Sequence, residues 1–215
     1  MNITSNIVSP SVIRLYETAK KTNTLQQAQD IFKVDNVNSF ISKMVNYVDA
    51  VDATDYEYGK PIFECRNKMK GDFFELFTVL WLNTFGGDRL LSVSNVKWAQ
   101  RDQEGFDFLG INKEGNTMTI QSKFLANPKE IFEGDGRLET FFATSLEYSH
   151  ASPDCPSAVL FTTACKVAER YRRYERRGTL LVIDRQTLAK HSNNNKGFWM
   201  YTSSIAQQVF PTPAV

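Results

Sequence analysis

Two short runs, "AVLFTT" (Ala158 to Thr163) and "TLLVID" (Thr179 to Asp184), are apolar at almost every position rather than at alternate ones. They are too short for buried helices, and a strand apolar on both sides must be covered on both faces. Between them, Ala164 to Arg177 has the length and spacing of a helix. The upstream pattern fits the same plan. "KGDFFELFTVLWLNTFGG" reads as a helix with Asp72 near its start and Gly86-Gly87 at its end. Leu90 to Trp98 and Gly105 to Ile111 read as strands, and "NKEGN" (Asn112 to Asn116) is turn chemistry. Thr117 to Phe124 then completes a hairpin, and Lys129 to Leu146 is mostly helical. An antiparallel hairpin beside fully apolar strands predicts an α/β sandwich with a central mixed β-sheet flanked by helices.

Residues 1–58 carry three amphipathic helical patterns, Ser11 to Lys20, Leu25 to Lys33 and Ser39 to Val48, and are expected to form an accessory helical region. "DAVDATDYEYGKP" (Asp49 to Pro61) is acidic and broken by Gly59 and Pro61, which places a boundary near residue 58. The main domain is then expected over 59–205, with 206–215, ending in "PTPAV", as a tail or linker.

Composition removes several classes of function. Apolar residues make up 42% and charged residues 23% of the 215, which is ordinary for a globular chain and excludes disorder. Cys65, Cys155 and Cys165 form no CxxC pair and lie beside neither His150 nor His191, so a disulfide scaffold and a zinc site are not expected. The N-terminal sequence has no basic segment leading into an apolar run, and no window is apolar enough to span a bilayer. A cytoplasmic, membrane-free protein is expected. The formal net charge of +1 does not exclude nucleic acid, because basic residues can gather on one surface.

The chemistry gathers in the middle of the chain. Glu75 lies between Phe74 and Leu76, on a helix face continued by Thr78, Val79 and Leu82. A carboxylate on such a face needs a partner. Asp107 interrupts the apolar "FDFLG", and Asp is a poor strand residue. Gln121 and Lys123, in "TIQSKF", project from one side of their strand because side chains alternate with period two. A hairpin of this length lays Asp107 across from Gln121 and Lys123. Such a set suits phosphodiester hydrolysis, in which a hard divalent cation held by oxygen ligands stabilises the added negative charge and activates a water. Asp107 would be the main ligand, with the Gln121 amide oxygen and the Ser122 backbone carbonyl beside it. Glu75 would add the second negative charge, and Lys123 would position the water and screen the phosphate.

The order helix Glu, strand Asp, then Gln-x-Lys resembles the PD-(D/E)XK nuclease superfamily, and within it the Mrr-like restriction endonuclease branch. The matching stretches are "KGDFFELF", "GFDFLG", "TIQSKF", "AVLFTTACKVAERY" and "GTLLVIDRQTL", covering about residues 66–190. Phe106 stands where the family name has proline. The resemblance implies a restriction-endonuclease-like fold and a Mg2+-dependent DNA endonuclease, with Mn2+ expected to substitute. It also implies Glu75, Asp107, Gln121 and Lys123 as the site and double-stranded DNA as the substrate. Double-strand cutting by one site per chain favours a homodimer. An ATP-driven helicase region would have to lie elsewhere, since no GxxxxGK[ST] sequence is present.

Further phosphate contacts are expected from "KVAERYRRYERR", where Arg170, Arg173 and Arg177 share a helical face. Lys70, Lys97 and Arg101 are additional candidates. Asp184, closing a strand before a turn, reads as structural. Two alternatives remain open: a structure-specific nuclease of Holliday-junction-resolvase type, and a DNA-binding module that keeps the fold without cleaving. The neutral Gln121 keeps the second alive.

Overall fold

The computed structural model describes residues 8–87, 93–99, 105–127, 131–134, 136–148 and 156–212. The chain is α/β, with a central five-stranded mixed sheet flanked by helices. It divides into two compact units, a helical one of residues 1–77 and 189–215 and a sheet-bearing one of residues 78–188.

The helical unit begins with α1 (Pro10–Lys21). Ser9 caps it by accepting from the Val12 amide at 3.2 Å, and Pro10 occupies the first turn, where no amide is needed. A short α2 (Leu25–Asp30) leads to α3 (Val37–Ala50), capped by Asn36 on the Ser39 amide at 2.8 Å. The long α4 (Ile62–Phe85) gives its residues up to Phe77 to this unit. The last helix of the chain, α8 (Lys196–Val209), returns to it. The core is aromatic. Phe40 stacks on Phe77 with ring centroids 4.5 Å apart, and Phe73 meets Phe210 at 6.0 Å. Trp199 lies 6.4 Å from Phe40.

This packing corrects the expected domain limits. The division falls inside α4, not near residue 58, because Phe73 and Phe77 of that helix complete the aromatic core. The expected tail from residue 206 is helical through Val209, and Phe210 is fully buried, its carbonyl accepting from Gln29 Nε2 at 2.6 Å. Asp72 is also not near a helix start: α4 begins ten residues earlier, just after Pro61, and Asp72 lies within it.

In the sheet unit, β1 (Val93–Trp98), β2 (Phe108–Asn112) and β3 (Thr117–Lys123) form an antiparallel meander. On the other side of β3 run β5 (Ala158–Thr162) and β7 (Leu180–Ile183), both parallel to their neighbours, giving the order β1-β2-β3-β5-β7. Every residue of β5 is buried, as its unbroken apolar sequence requires. One face of this sheet joins Ala158, Leu160, Leu180 and Val182 to Phe106, Leu138, Phe141 and Tyr171 in one apolar cluster. The other face receives the end of α4, where Trp81 meets Phe161 edge-on at 5.5 Å.

The remaining elements depart from the sequence reading in detail. The stretch expected as helix from Lys129 contains β4 (Ile131–Phe132), and α5 (Gly136–Tyr148) starts later. The stretch expected as helix from Ala164 contains β6 (Lys166–Val167), and α6 (Glu169–Arg176) follows it. β4 and β6 pair in parallel, so that Phe132 and Val167 both reach the apolar cluster. α7 (Arg185–Ser192) follows β7. Among the described residues no helix is long and apolar enough to cross a membrane.

Candidate active site

The hairpin register decides the placement of Asp107. Phe108 pairs with Ile120, so Asp107, one residue earlier, stands opposite Gln121. Its amide donates to the Ile120 carbonyl at 2.9 Å, and its own carbonyl accepts from Ala99 at 2.9 Å. Asp107 is thus held from both sides at a bend just before β2. Gly105 sets up that bend at φ +94°, and a Cβ there would come within 3.0 Å of the Phe141 backbone. Phe106 anchors the same segment in the apolar cluster, so the half-buried Asp107 rides on a fixed backbone.

Two N–H groups converge on one oxygen of Asp107. Gln121 Nε2 donates to Oδ2 at 2.6 Å, and the Ser122 amide donates to the same atom at 2.7 Å. Gln121 Nε2 also lies 3.4 Å from the Ser122 carbonyl. The carboxylate of Asp107 and the carbonyl of Ser122 therefore face one point, filled here by an amide nitrogen. This is the test of the expected cation. Both atoms are hard oxygen donors directed at a common position, which suits Mg2+, and turning the Gln121 amide over would add its oxygen as a third. The charge is short, because this set has a single carboxylate. Among the described residues no three His, Cys, Asp or Glu gather in a metal-binding group.

β3 is the middle strand of five, so the polar pair Gln121 and Lys123 does not mark a solvated sheet edge. Gln121 is buried and Lys123 half-buried at the end of the strand, where Lys123 pairs with Thr162 of β5. Ser122 projects from the opposite side, its hydroxyl 3.1 Å from that of the fully buried Thr78. Thr163, also fully buried, locks the chain beyond β3: its Oγ1 accepts from the Leu125 amide at 2.7 Å and donates to the Leu125 carbonyl at 2.8 Å. The trace of Thr163 in the sequence is a second hydroxyl at the end of a buried apolar strand, and that of Thr78 a lone hydroxyl on an apolar helix face.

Glu75 lies in the helical unit and has partners there. Ser11 Oγ donates to its Oε2 at 2.9 Å, and Lys68 Nζ is 3.8 Å from Oε1. Lys68 also pairs with Asp72, which is wholly buried and takes Arg14 Nη2 at 2.9 Å and Tyr56 Oη at 2.6 Å. Burial alone would lower the Lys68 pKa, but the charges of Glu75 and Asp72 outweigh it and hold the ammonium above its usual value. Burial, followed by the Asp72 charge, pushes the Tyr56 hydroxyl well above its usual range.

The phosphate-contact candidates divide. Lys70 is mostly buried, with Nζ 2.7 Å from Asp49, and is not presented to a ligand. Lys97 is exposed on β1, and Arg101 lies outside the described residues. Arg170, Arg173 and Arg177 are exposed along α6 and at its C-cap. Asp184 is structural, as expected: it caps α7 through the Thr187 amide at 3.0 Å and pairs with Arg172 at 2.9 Å.

No protein-family model matches the chain, and no curated protein matches it at a significant level. Among solved structures it is similar to one described as "Crystal structure of protein VC1899 from Vibrio cholerae", at 12% identity and a TM-score of 0.41. That alignment covers 94% of this chain and 58% of the other, so the chain spans little more than half of the structure it matches.

Proposed function

We propose that the chain is a Mg2+-dependent endodeoxyribonuclease, resembling the Mrr-like branch of the PD-(D/E)XK nucleases, that hydrolyses phosphodiester bonds of DNA. The observation that carries this reading is the convergence of the Asp107 carboxylate and the Ser122 carbonyl beside Gln121, with Lys123 two residues along a central strand. Asp107, the Ser122 carbonyl and the Gln121 amide oxygen are the groups that would hold the ion. A bound Mg2+ supplies charge stabilisation at the phosphoryl oxygens and lowers the pKa of a water. Lys123 orients that water and neutralises the approaching phosphate. The Ser122 amide, donating to Asp107 Oδ2, fixes the orientation of that carboxylate. The water adds to phosphorus as the bond to the leaving sugar oxygen breaks, and that oxygen takes up a proton. Action in the cytoplasm, a homodimer for double-strand cutting and an associated ATP-driven motor belong to the same proposal.

A second reading has a specific observation behind it. Gln121 turns a neutral N–H toward Asp107, an arrangement stable without a cation and suited to a DNA-binding module that no longer cleaves. Incubation of supercoiled, linear, branched and single-stranded DNA with Mg2+ or Mn2+ separates the two. Nicking by the wild type that Asp107→Ala and Lys123→Ala both remove, with DNA binding retained, supports the nuclease. Preference for branched DNA would identify the junction-specific alternative. No cleavage of any substrate with either metal overturns the nuclease and leaves the binding module.

A further inference from the structure

We propose that α6 and α5 together form a stacking ledge for single-stranded DNA, with Tyr174 as the base platform and Arg170, Arg173 and Arg177 as phosphate contacts. The inference rests on the reading of this chain as one that acts on DNA, and adds to the duplex it is proposed to cut a surface for an unpaired strand. The segment from Lys166 to Arg177 contains six cations and two carboxylates. The structure sorts them. Arg172 is committed to Glu175 and Asp184, and Arg176 to Glu169. Among the described residues no carboxylate lies within 4 Å of Arg170, Arg173 or Arg177, Arg170 donating instead to the Glu133 backbone carbonyl, and the spacing of these three puts them on one side of the helix.

Tyr174 belongs to the same side. It is 42% exposed, a large value for an aromatic ring in a helix, yet it is not loose. Its ring stacks on Phe142 of α5 with centroids 5.0 Å apart and planes 23° apart. Phe142 in turn stacks on the buried Tyr171 at 5.8 Å and 24°, and the Arg170 guanidinium lies 4.9 Å from the Tyr171 centroid. Three rings thus form a ladder with its inner end in the core and its outer end in solvent. A platform held this way offers a base an aromatic face with little ordering cost. The flanking arginines supply the backbone contacts. Base faces in a duplex are already stacked, so the ring distinguishes single strands, whereas the arginines alone would not. Stacking on the Tyr174 ring is sequence-tolerant, because every base has a π-face.

The test is binding of a fluorescein-labelled oligothymidylate and of a labelled duplex to the full chain in EDTA, by anisotropy across a salt series. Tyr174→Ala is expected to weaken oligothymidylate binding about tenfold and leave the duplex unchanged, while Tyr174→Phe keeps both. Arg173→Ala with Arg177→Ala is expected to lower the salt slope on single strands by about 1.4. Tyr174→Trp keeps the platform and reports on it, its emission quenching as the oligonucleotide binds. The ledge is overturned if the wild type does not bind oligothymidylate, if Tyr174→Ala binds like wild type, or if that change weakens both forms equally. Because these measurements need no metal, they stand or fall separately from cleavage, which Asp107→Ala reports.

Discussion

Asp72 and Asp107 are both carboxylates drawn out of water, and the molecule treats them in opposite ways. Asp72 is sealed in the helical unit and neutralised by two cations, Arg14 and Lys68, with Tyr56 donating as well. Asp107 is half-buried in the sheet unit, where Gln121 Nε2 and the Ser122 amide both donate to one of its oxygens. A carboxylate matched by cations is satisfied and serves packing. One set at a strand end, with its oxygen and a main-chain carbonyl facing the same position, is placed where a ligand can meet both. The difference teaches that the company a buried acid keeps says more about its role than its burial does.

Four changes would break or sharpen that contrast. The largest expected effect is on cleavage: Asp107→Ala should reduce Mg2+-dependent nicking to background while costing only about 1–2 kcal/mol in urea unfolding, the worth of its hydrogen bonds. Asp72→Ala should do the reverse in kind, destabilising by about 3 kcal/mol, the low end for a broken buried pair because Arg14 and Lys68 stay a third exposed. Equal stability losses in the two variants would end the distinction. Next, Gln121→Glu adds the missing charge beside Asp107 and should tighten Mn2+ binding by roughly tenfold in calorimetry. Unchanged or weaker binding would remove Gln121 from the ligand set. The smallest effect concerns pH. The folded-state pKa values of Tyr56 and Lys68 are raised, so the folded chain holds those protons more tightly than the unfolded one. Stability is then fully present below about pH 10 and declines above it. Tyr56→Phe should make that decline shallower and cost about 1 kcal/mol at neutral pH, read by unfolding at a series of pH values.

The sequence made the hairpin, and therefore the pairing of Asp107 with Gln121, legible, because a turn rich in Asn and Gly fixes the register of the strands around it. The apolar runs of β5 and β7 were legible for the same kind of reason: burial on both faces writes itself into every position. The two-residue strands β4 and β6 were not, since so short an element has no periodicity and exists only through its partner. Nor was the role of Asp72, because its pairing with Lys68, four residues before it, needs the helix to run from Ile62, ahead of the apolar pattern that marks it. The return of α8 does leave a readable trace. Phe198, Trp199, Thr202, Ile205 and Ala206 recur at helical spacing and are all buried. The Ser122 amide on Asp107 is a main-chain contact and leaves no trace in residue identities.

Because Trp199 and Phe210 complete the aromatic core begun by Phe40 and Phe73, the helical unit is discontinuous in the chain. During synthesis the sheet unit, a single run of residues, has all its strands before α8 emerges from the ribosome. The helical unit must wait, with Phe40, Phe73 and Phe77 uncovered until Trp199 and Phe210 arrive. Nascent chains paused before α8 should therefore be the ones that recruit chaperones, and a shortened chain ending there should aggregate while its sheet is already formed.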